Sequence, residues 1–298
     1  MPQQPNVSVR FYAPPLDLRR YFTTFYVTDV ALCAGETLTD TLQPEWANLR
    51  FFRGQLPVSW LEGGSRVTGS SFIATGPSCR CVNFTIGSGR IWGIGLLPLG
   101  WARFIHQPAA QHANLIADGH SHPCFAPFAP LADTLFADDG DETEELNRII
   151  RFFRELPPRL RLDEPRIEAI HAALVDPDVA SVRELVERVA LPQRMIERVC
   201  DDVFGFSPKV LLRRQRFMRS LTQFMLDPSL KWIGAMDGQY HDQAQFVRDF
   251  RNFTDMSPRE YAAQSHPVLD KFMHERARLQ GAAAQTLDHP RQAASAGC

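Results

Sequence analysis

Hydrophobic residues change their spacing part-way along this chain, and the change separates two kinds of structure. From about residue 7 to 105 they sit in short runs such as Leu49-Arg50-Phe51-Phe52, Ser71-Phe72-Ile73-Ala74 and Cys81-Val82-Asn83-Phe84-Thr85-Ile86. Runs of this length, rich in Phe, Val and Thr, read as strands. Turn signals break them, at Glu62-Gly63-Gly64-Ser65, Thr75-Gly76-Pro77-Ser78 and Gly87-Ser88-Gly89. The pattern predicts a small β-rich domain, a sandwich or a barrel. Residues 98–135 hold many prolines and read as loops and short helices. In Glu142–Leu156 the period becomes helical, with Leu146, Ile149, Ile150, Phe153 and Leu156 on one face. Asp141 or Thr143 can cap its start and Pro157-Pro158 ends it. The acidic run Asp138-Asp139-Gly140-Asp141 before it reads as exposed loop. This helix packs on the sheet of the β-rich half or forms a dimer seam.

From Pro165 onward the helical period persists. Arg166–Val175 buries Ile167, Ile170 and Leu174. Ser181-Val182-Arg183-Glu184 is a capping box, in which the hydroxyl and the carboxylate satisfy free backbone N–H groups reciprocally. A helix follows to Ala190, then the short turn Leu191-Pro192, then a helix from Gln193 to about Phe204 that Gly205 stops. Two short helices joined so tightly form a helix-turn-helix. The pattern returns at an offset of 50: Phe204-Gly205-Phe206-Ser207-Pro208 matches Thr254-Asp255-Met256-Ser257-Pro258. Ile196 matches Phe246, Arg198 matches Arg248 and Val203 matches Phe253. In both copies serine caps a helix and proline takes its first position, where no N–H is needed. Pro208–Leu226 between them reads as a long helix that sets their separation. An internal repeat is far more specific than a single copy.

Composition narrows the class. The 298 residues suggest two domains, 44% of them are hydrophobic and 22% charged, so the chain can build real cores. No apolar run approaches a membrane span and the first residues lack a signal-peptide pattern, so a soluble, cytoplasmic protein is expected. The net charge is only −2. Residues 159–266 hold 16 Lys and Arg against 16 Asp and Glu, so DNA binding cannot rest on bulk charge and must rest on where the arginines sit. The cysteines, Cys33, Cys79, Cys81, Cys124, Cys200 and Cys298, are scattered and predict no disulfide framework. Cys79-Arg80-Cys81 has no second pair to complete a zinc site and reads as buried or strand-alternating thiols.

On Ser181–Ala263 the chain resembles the AraC/XylS family of transcription regulators. Tyr240-His241-Asp242-Gln243-Ala244-Gln245-Phe246-Val247-Arg248-Asp249-Phe250-Arg251 looks like the family's signature, and Ser257-Pro258-Arg259-Glu260-Tyr261 closes it. Trp92-Gly93-Ile94-Gly95-Leu96-Leu97-Pro98-Leu99-Gly100 resembles the β-rich companion domain of such modules. The resemblance implies seven helices, two recognition helices in successive major grooves of one DNA face, and an N-terminal domain that senses an effector or dimerises. Three positions depart from the family: Gln239 replaces a small turn residue, Asp255-Met256 stands where glycine is usual, and Pro192 replaces a capping Ser or Thr.

On the first recognition helix Ile196, Val199 and Val203 share the packed face, while Arg194, Glu197, Arg198 and Asp201 share another. Arginine can grip guanine through two hydrogen bonds and glutamate can accept from cytosine. Gln193, Arg194, Glu197 and Arg198 are therefore candidate DNA contacts near the helix start, with Asp201 kept off the phosphates. On the second helix Phe246, Phe250 and Phe253 pack inward, and Asp242 with Gln245 makes another capping box. Gln243, Ala244, Val247, Arg248 and Arg251 face outward as candidate contacts, with His241 a candidate for phosphate. Arg213, Arg214, Arg216 and Arg219 of the connecting helix either bind phosphate or pair with acidic neighbours. Trp232 reads as core.

The expected architecture is α+β: a β-rich sensing or dimerisation domain over 1–137, a helix and linker over 138–162, an AraC-type domain with two helix-turn-helix motifs over 163–265, and a partly disordered tail over 266–298. The expected function is a sequence-specific transcription regulator, an activator, acting as a homodimer on double-stranded DNA. RNA polymerase and a small-molecule effector are further candidate partners; no membrane partner, catalytic residue, metal or cofactor is expected. The alternative is a β-barrel metal-dependent enzyme or metal sensor fused to a DNA-binding tail. His120-Ser121-His122 has ligand spacing for it, but Pro123 argues for a loop and no Glu completes a site. P-loop, dinucleotide and Gly-x-Ser-x-Gly fingerprints are absent from the sequence.

Overall fold

The computed structural model describes residues 6–137, 141–157 and 162–291. Asp138, Asp139, Gly140, Pro158 and Cys298, on which parts of the sequence reading fall, lie outside them.

The β-rich part is built from β1 (Asn6–Tyr12), β2 (Phe22–Ala31), β3 (Leu38–Leu42), β4 (Ala47–Gly54), β5 (Val58–Trp60), β6 (Arg66–Thr68), β7 (Phe72–Thr75), β8 (Val82–Ile86), β9 (Gly89–Leu96) and β10 (Ile116–Asp118). A six-stranded sheet runs β1-β2-β9-β4-β7-β10 and a four-stranded sheet runs β3-β8-β5-β6, antiparallel throughout the described pairs. Alternation along the larger sheet gives it two interiors. Phe25, Val27, Leu49, Phe51, Trp92 and Ile94 point to one side and bury against α1 (Pro98–Phe104), α2 (Ala129–Thr134) and α3 (Glu142–Glu155). The opposite side, with Val30, Phe52 and Ile73, packs on Phe84, Ile86 and Val82 of the smaller sheet. Asp141 caps α3 as expected, accepting from Thr143 N at 2.9 Å. Of the two placements open for α3, the structure shows the sheet: Ile149 and Phe153 are buried there, and Glu145 accepts from Trp92 Nε1 at 2.6 Å.

The helical part holds α4 (Glu164–Val175), α5 (Val182–Val189), α6 (Gln193–Val199), a π-turn over Cys200–Phe204, α7 (Pro208–Leu226), α8 (Lys231–Ala235), α9 (Gln243–Thr254) and α10 (Pro258–Ala262). These are the seven helices that the resemblance implies. An eighth, α11 (Leu269–Gln280), stands in the stretch for which the sequence predicts a partly disordered tail. Its ordering comes from the β-rich part. Asp40 on β3 accepts from Val268 N at 2.8 Å, Leu269 N at 2.9 Å and the His266 ring at 2.9 Å, so a carboxylate from a distant strand supplies the helix N-terminus with its acceptor. Beyond α11, Gln285 donates to Glu45 at 2.7 Å and Arg291 to Thr23 O at 2.8 Å. No helix among the described residues is long and apolar enough to cross a membrane.

Candidate nucleic-acid interface

Each helix-turn-helix copy begins with a packed face. In the first, the Ser181 box is complete: Glu184 N donates to Ser181 Oγ at 3.2 Å and Ser181 N to Glu184 at 3.0 Å. Ala190 closes α5 in the left-handed conformation at φ 55°, and Pro192 opens α6 without a side-chain cap. Ile196, Cys200, Val203 and Phe204 are buried against Trp46, Leu97, Leu99 and Ala102 of the β-rich part. The π-turn places the Gly205 N–H on Cys200 O at 2.8 Å, a widening that the apolar spacing does not announce.

Arg194 and Arg198 face solvent, whereas Gln193 donates to Glu197 at 2.8 Å. Two of the four candidates on this helix thus satisfy each other and two stand free for a partner. Asp201 and Asp202 are exposed beside them. Burial, then Asp202 and Glu197, raise the Asp201 carboxyl above its ordinary range.

In the second copy Phe246, Phe250 and Phe253 pack on Phe217, Tyr261 and Trp232 as expected, and Trp232 donates to Pro258 O at 2.9 Å. Asp242 accepts from Gln245 N at 2.6 Å, but the Gln245 side chain reaches back to His241 N at 3.2 Å rather than to Asp242, so the expected box is displaced by one residue. His241, Gln243, Ala244, Arg248 and Arg251 are exposed and Val247 is half-buried. Among the described residues none of Arg194, Arg198, Arg248 and Arg251 makes an ion pair.

The α7 arginines face protein partners. Arg213 and Arg216 hold the buried Asp249 at 2.5 and 3.1 Å, and Arg219 holds Asp237 at 2.5 Å. Arg214 is fully buried, 4.0 Å from the Trp46 ring centre, and donates to Ser78 O at 3.0 Å. Of the two readings open for these residues, the structure shows acidic partners for Arg213, Arg216 and Arg219, whereas Arg214 follows neither and is buried on Trp46 with backbone carbonyl acceptors. Gln239 is not left-handed; it accepts from Arg219 at 2.9 Å and donates to Pro177 O, bracing the first copy against the second. Asp255 does take the left-handed form, at φ 59°, and Gly205, its equivalent at the offset of 50, takes φ 82°.

One loop of the β-rich part touches both left-handed ends. A Cβ on Gly205 would lie 3.0 Å from Pro77 Cβ. Arg80 pairs with Asp255 at 2.6 Å, and Cys81 N donates to Phe253 O at 3.1 Å. Burial pushes the Cys79 thiol up to about 11 and the Cys81 thiol up to about 12, so both rest as protonated thiols at neutral pH. His120 and His122 do not converge: His120 lies 3.1 Å from Ser71 Oγ, while His122 turns toward His112.

A family model described as a helix-turn-helix domain matches residues 185–264, the span from α5 through α10. The helical module is an AraC-type helix-turn-helix domain. AraC-type modules are DNA-binding units of transcription regulators. Solved structures of ToxT from Vibrio cholerae O395 are similar, one with a TM-score of 0.39 at 10% identity, covering 86% of this chain and 96% of that one. ToxT bound to (E)-4-(8-methylnaphthalen-1-yl)but-3-enoic acid gives 0.43 at 10% identity over 87% and 98% of the two chains. The AraC-like transcriptional activator CuxR gives 0.27 at 13% identity over 72% and 86%. At such low scores these likenesses carry no functional argument. No curated protein matches the sequence.

Proposed function

We propose that this chain regulates transcription by laying α6 and α9 of its AraC-type module in two successive major grooves of one DNA face. The observation that carries the reading is a pair of arginines. Arg198 and Arg248 are equivalent in the internal repeat and exposed, with no ion pair among the described residues, while the α7 arginines are committed inward. Free guanidinium forks on two repeated helices suit bidentate contact with guanine O6 and N7. Arg194 and Arg251 extend those stripes, Gln243 suits adenine, and Ala244 and Val247 suit a thymine methyl. Gln193, Glu197 and His241 complete the surface as polar contacts. On this reading the assembly is a homodimer, and RNA polymerase is its onward contact.

Effector control is part of the same reading. A cavity of about 60 Å³ lies between the two sheets, lined by Tyr26, Arg50, Phe84 and Ile91 and closed by Leu269 and Phe272 of α11. An adjoining cavity of about 40 Å³ reaches Glu45 and Gln285. The reading puts the polar end of a small organic effector at the buried Arg50–Glu45 pair, 2.7 Å apart, and requires α11 to move to admit it, because both cavities are far smaller than an ordinary ligand pocket of roughly 300–1,000 Å³. The test is selection of random or genomic DNA by the wild-type chain and by a chain carrying Arg198→Ala and Arg248→Ala. Two short boxes about one helical turn apart are expected for the wild type and their loss for the variant; enrichment of the same boxes by both would reject the assignment.

A further inference from the structure

We infer that His112, His122 and Cys124 form a binding site for a zinc-class metal ion. One donor atom from each lies within 4.8 Å of the other two, and no other group of this kind is found among the described residues. His112 and Cys124 are buried and His122 is half-buried, which leaves one side open for an ion to enter. The two imidazoles meet edge to face at 83° with centres 5.5 Å apart, so neither ring stacks over the other.

The surroundings are those of a held site. Gln107 Oε1 lies 3.3 Å from Nε2 of His112; a proton shared there leaves the other ring nitrogen with its lone pair. Trp101 and Phe125 pack against His112, and Phe125 also packs against His122, so both rings are confined. One thiol and two imidazoles select zinc over calcium or magnesium, which prefer oxygen. Three protein donors leave a fourth position for water, the arrangement of an open zinc site. Binding forms a metal–sulfur bond, and the thiol proton leaves to solvent.

The sequence gives this site no compact signature. His112 lies ten residues before His122, in a short turn over Ala109–His112, and the other two donors lie in the loop after β10. That turn borders the interface: His112 O would sit 2.0 Å from a Cβ on Gly76, and Ala109 O lies 3.3 Å from the one Gly205 would carry. A metal ion here ties the loop after β10 to the segment that touches the first recognition helix.

The test uses the full chain carrying Cys33→Ser and Cys298→Ser, which removes the exposed thiol and the terminal one. Co2+ and Zn2+ are titrated separately after chelation. The inference expects one ion per chain, a thiolate-to-cobalt charge-transfer band, displacement of Co2+ by Zn2+ and a raised melting temperature. Cys124→Ser should abolish the band, and His112→Asn or His122→Asn should weaken ion binding at least tenfold, with apo circular dichroism unchanged. Cobalt binding without the band, or a band that survives Cys124→Ser, would overturn it. So would no saturable binding to the wild-type site; that result needs no variant to fold.

Discussion

The two helix-turn-helix copies share a residue pattern but are anchored by different physics. The first is fastened to the β-rich part by apolar shape: Phe204 and His171 pack edge-on to Trp46, which sits beneath the fully buried Arg214. The second has an aromatic core of its own and a buried Asp249 between two arginines. Its described ties to the loop at Pro77–Cys81 include one backbone hydrogen bond and the Arg80–Asp255 pair, whose side chains are 35% and 39% exposed. Apolar burial is insensitive to salt, whereas a pair exposed to that degree is screened and contributes little. The first copy buries Trp46, Leu97, Leu99 and Ala102 of the β-rich part, while the second buries Cys79 and adds polar ties, so the first has the broader apolar contact.

Mutations sharpen the contrast, and the largest effect falls on the first copy. Trp46→Ala removes a ring that is 2% exposed and uncovers the Arg214 guanidinium, so it should cost about 3–5 kcal/mol in denaturant unfolding. Asp249→Asn leaves Arg216 buried without its carboxylate and should cost about 3 kcal/mol within the second copy. A loss at Trp46 under about 1 kcal/mol would contradict the apolar anchor of the first copy.

Acid should act on the first copy too. Burial, with His289 and Arg214 nearby, holds His171 down to about 3, so it stays neutral in the folded chain. The unfolded chain binds that proton below its ordinary value, so stability falls as pH drops from about 6.5 toward 3, by about 2 kcal/mol at pH 5. His171→Phe should flatten that slope in unfolding curves taken from pH 7 to 5. The equivalent left-handed positions give the smallest effects. Gly205→Ala meets strain and Pro77 together and should cost about 1–2 kcal/mol. Asp255→Gly relieves strain but loses the Arg80 pair, for a net change under about 1 kcal/mol.

The features legible in the sequence are those set by neighbours in the chain. The Ser181–Glu184 box, the Asp141 cap and the repeat at an offset of 50 each need only a few adjacent residues, and all recur in the structure. Features set by distant partners were not legible. Arg214 looks like its exposed neighbours until Trp46 covers it. Residues 266–291 look like a loose tail because Asp40, which supplies acceptors at the start of α11, lies over two hundred residues away. The π-turn leaves no local mark, because a widened turn changes hydrogen-bond partners without changing residue type. The exposed stripes of α6 and α9 follow from helical periodicity; that Gln193 and Glu197 pair with each other does not, since a free pair and an occupied pair have the same spelling.

The measurement that tests the central claim most directly is equilibrium binding of Arg198→Ala and Arg248→Ala, separately, to the selected site and to variants changed at every base pair. Each substitution should relax preference by about 1–3 kcal/mol at its own position, the two positions lying about one helical turn apart. Uniform weakening across all sites by either variant, or loss of preference at one shared position by both, would contradict two repeated helices each reading its own groove.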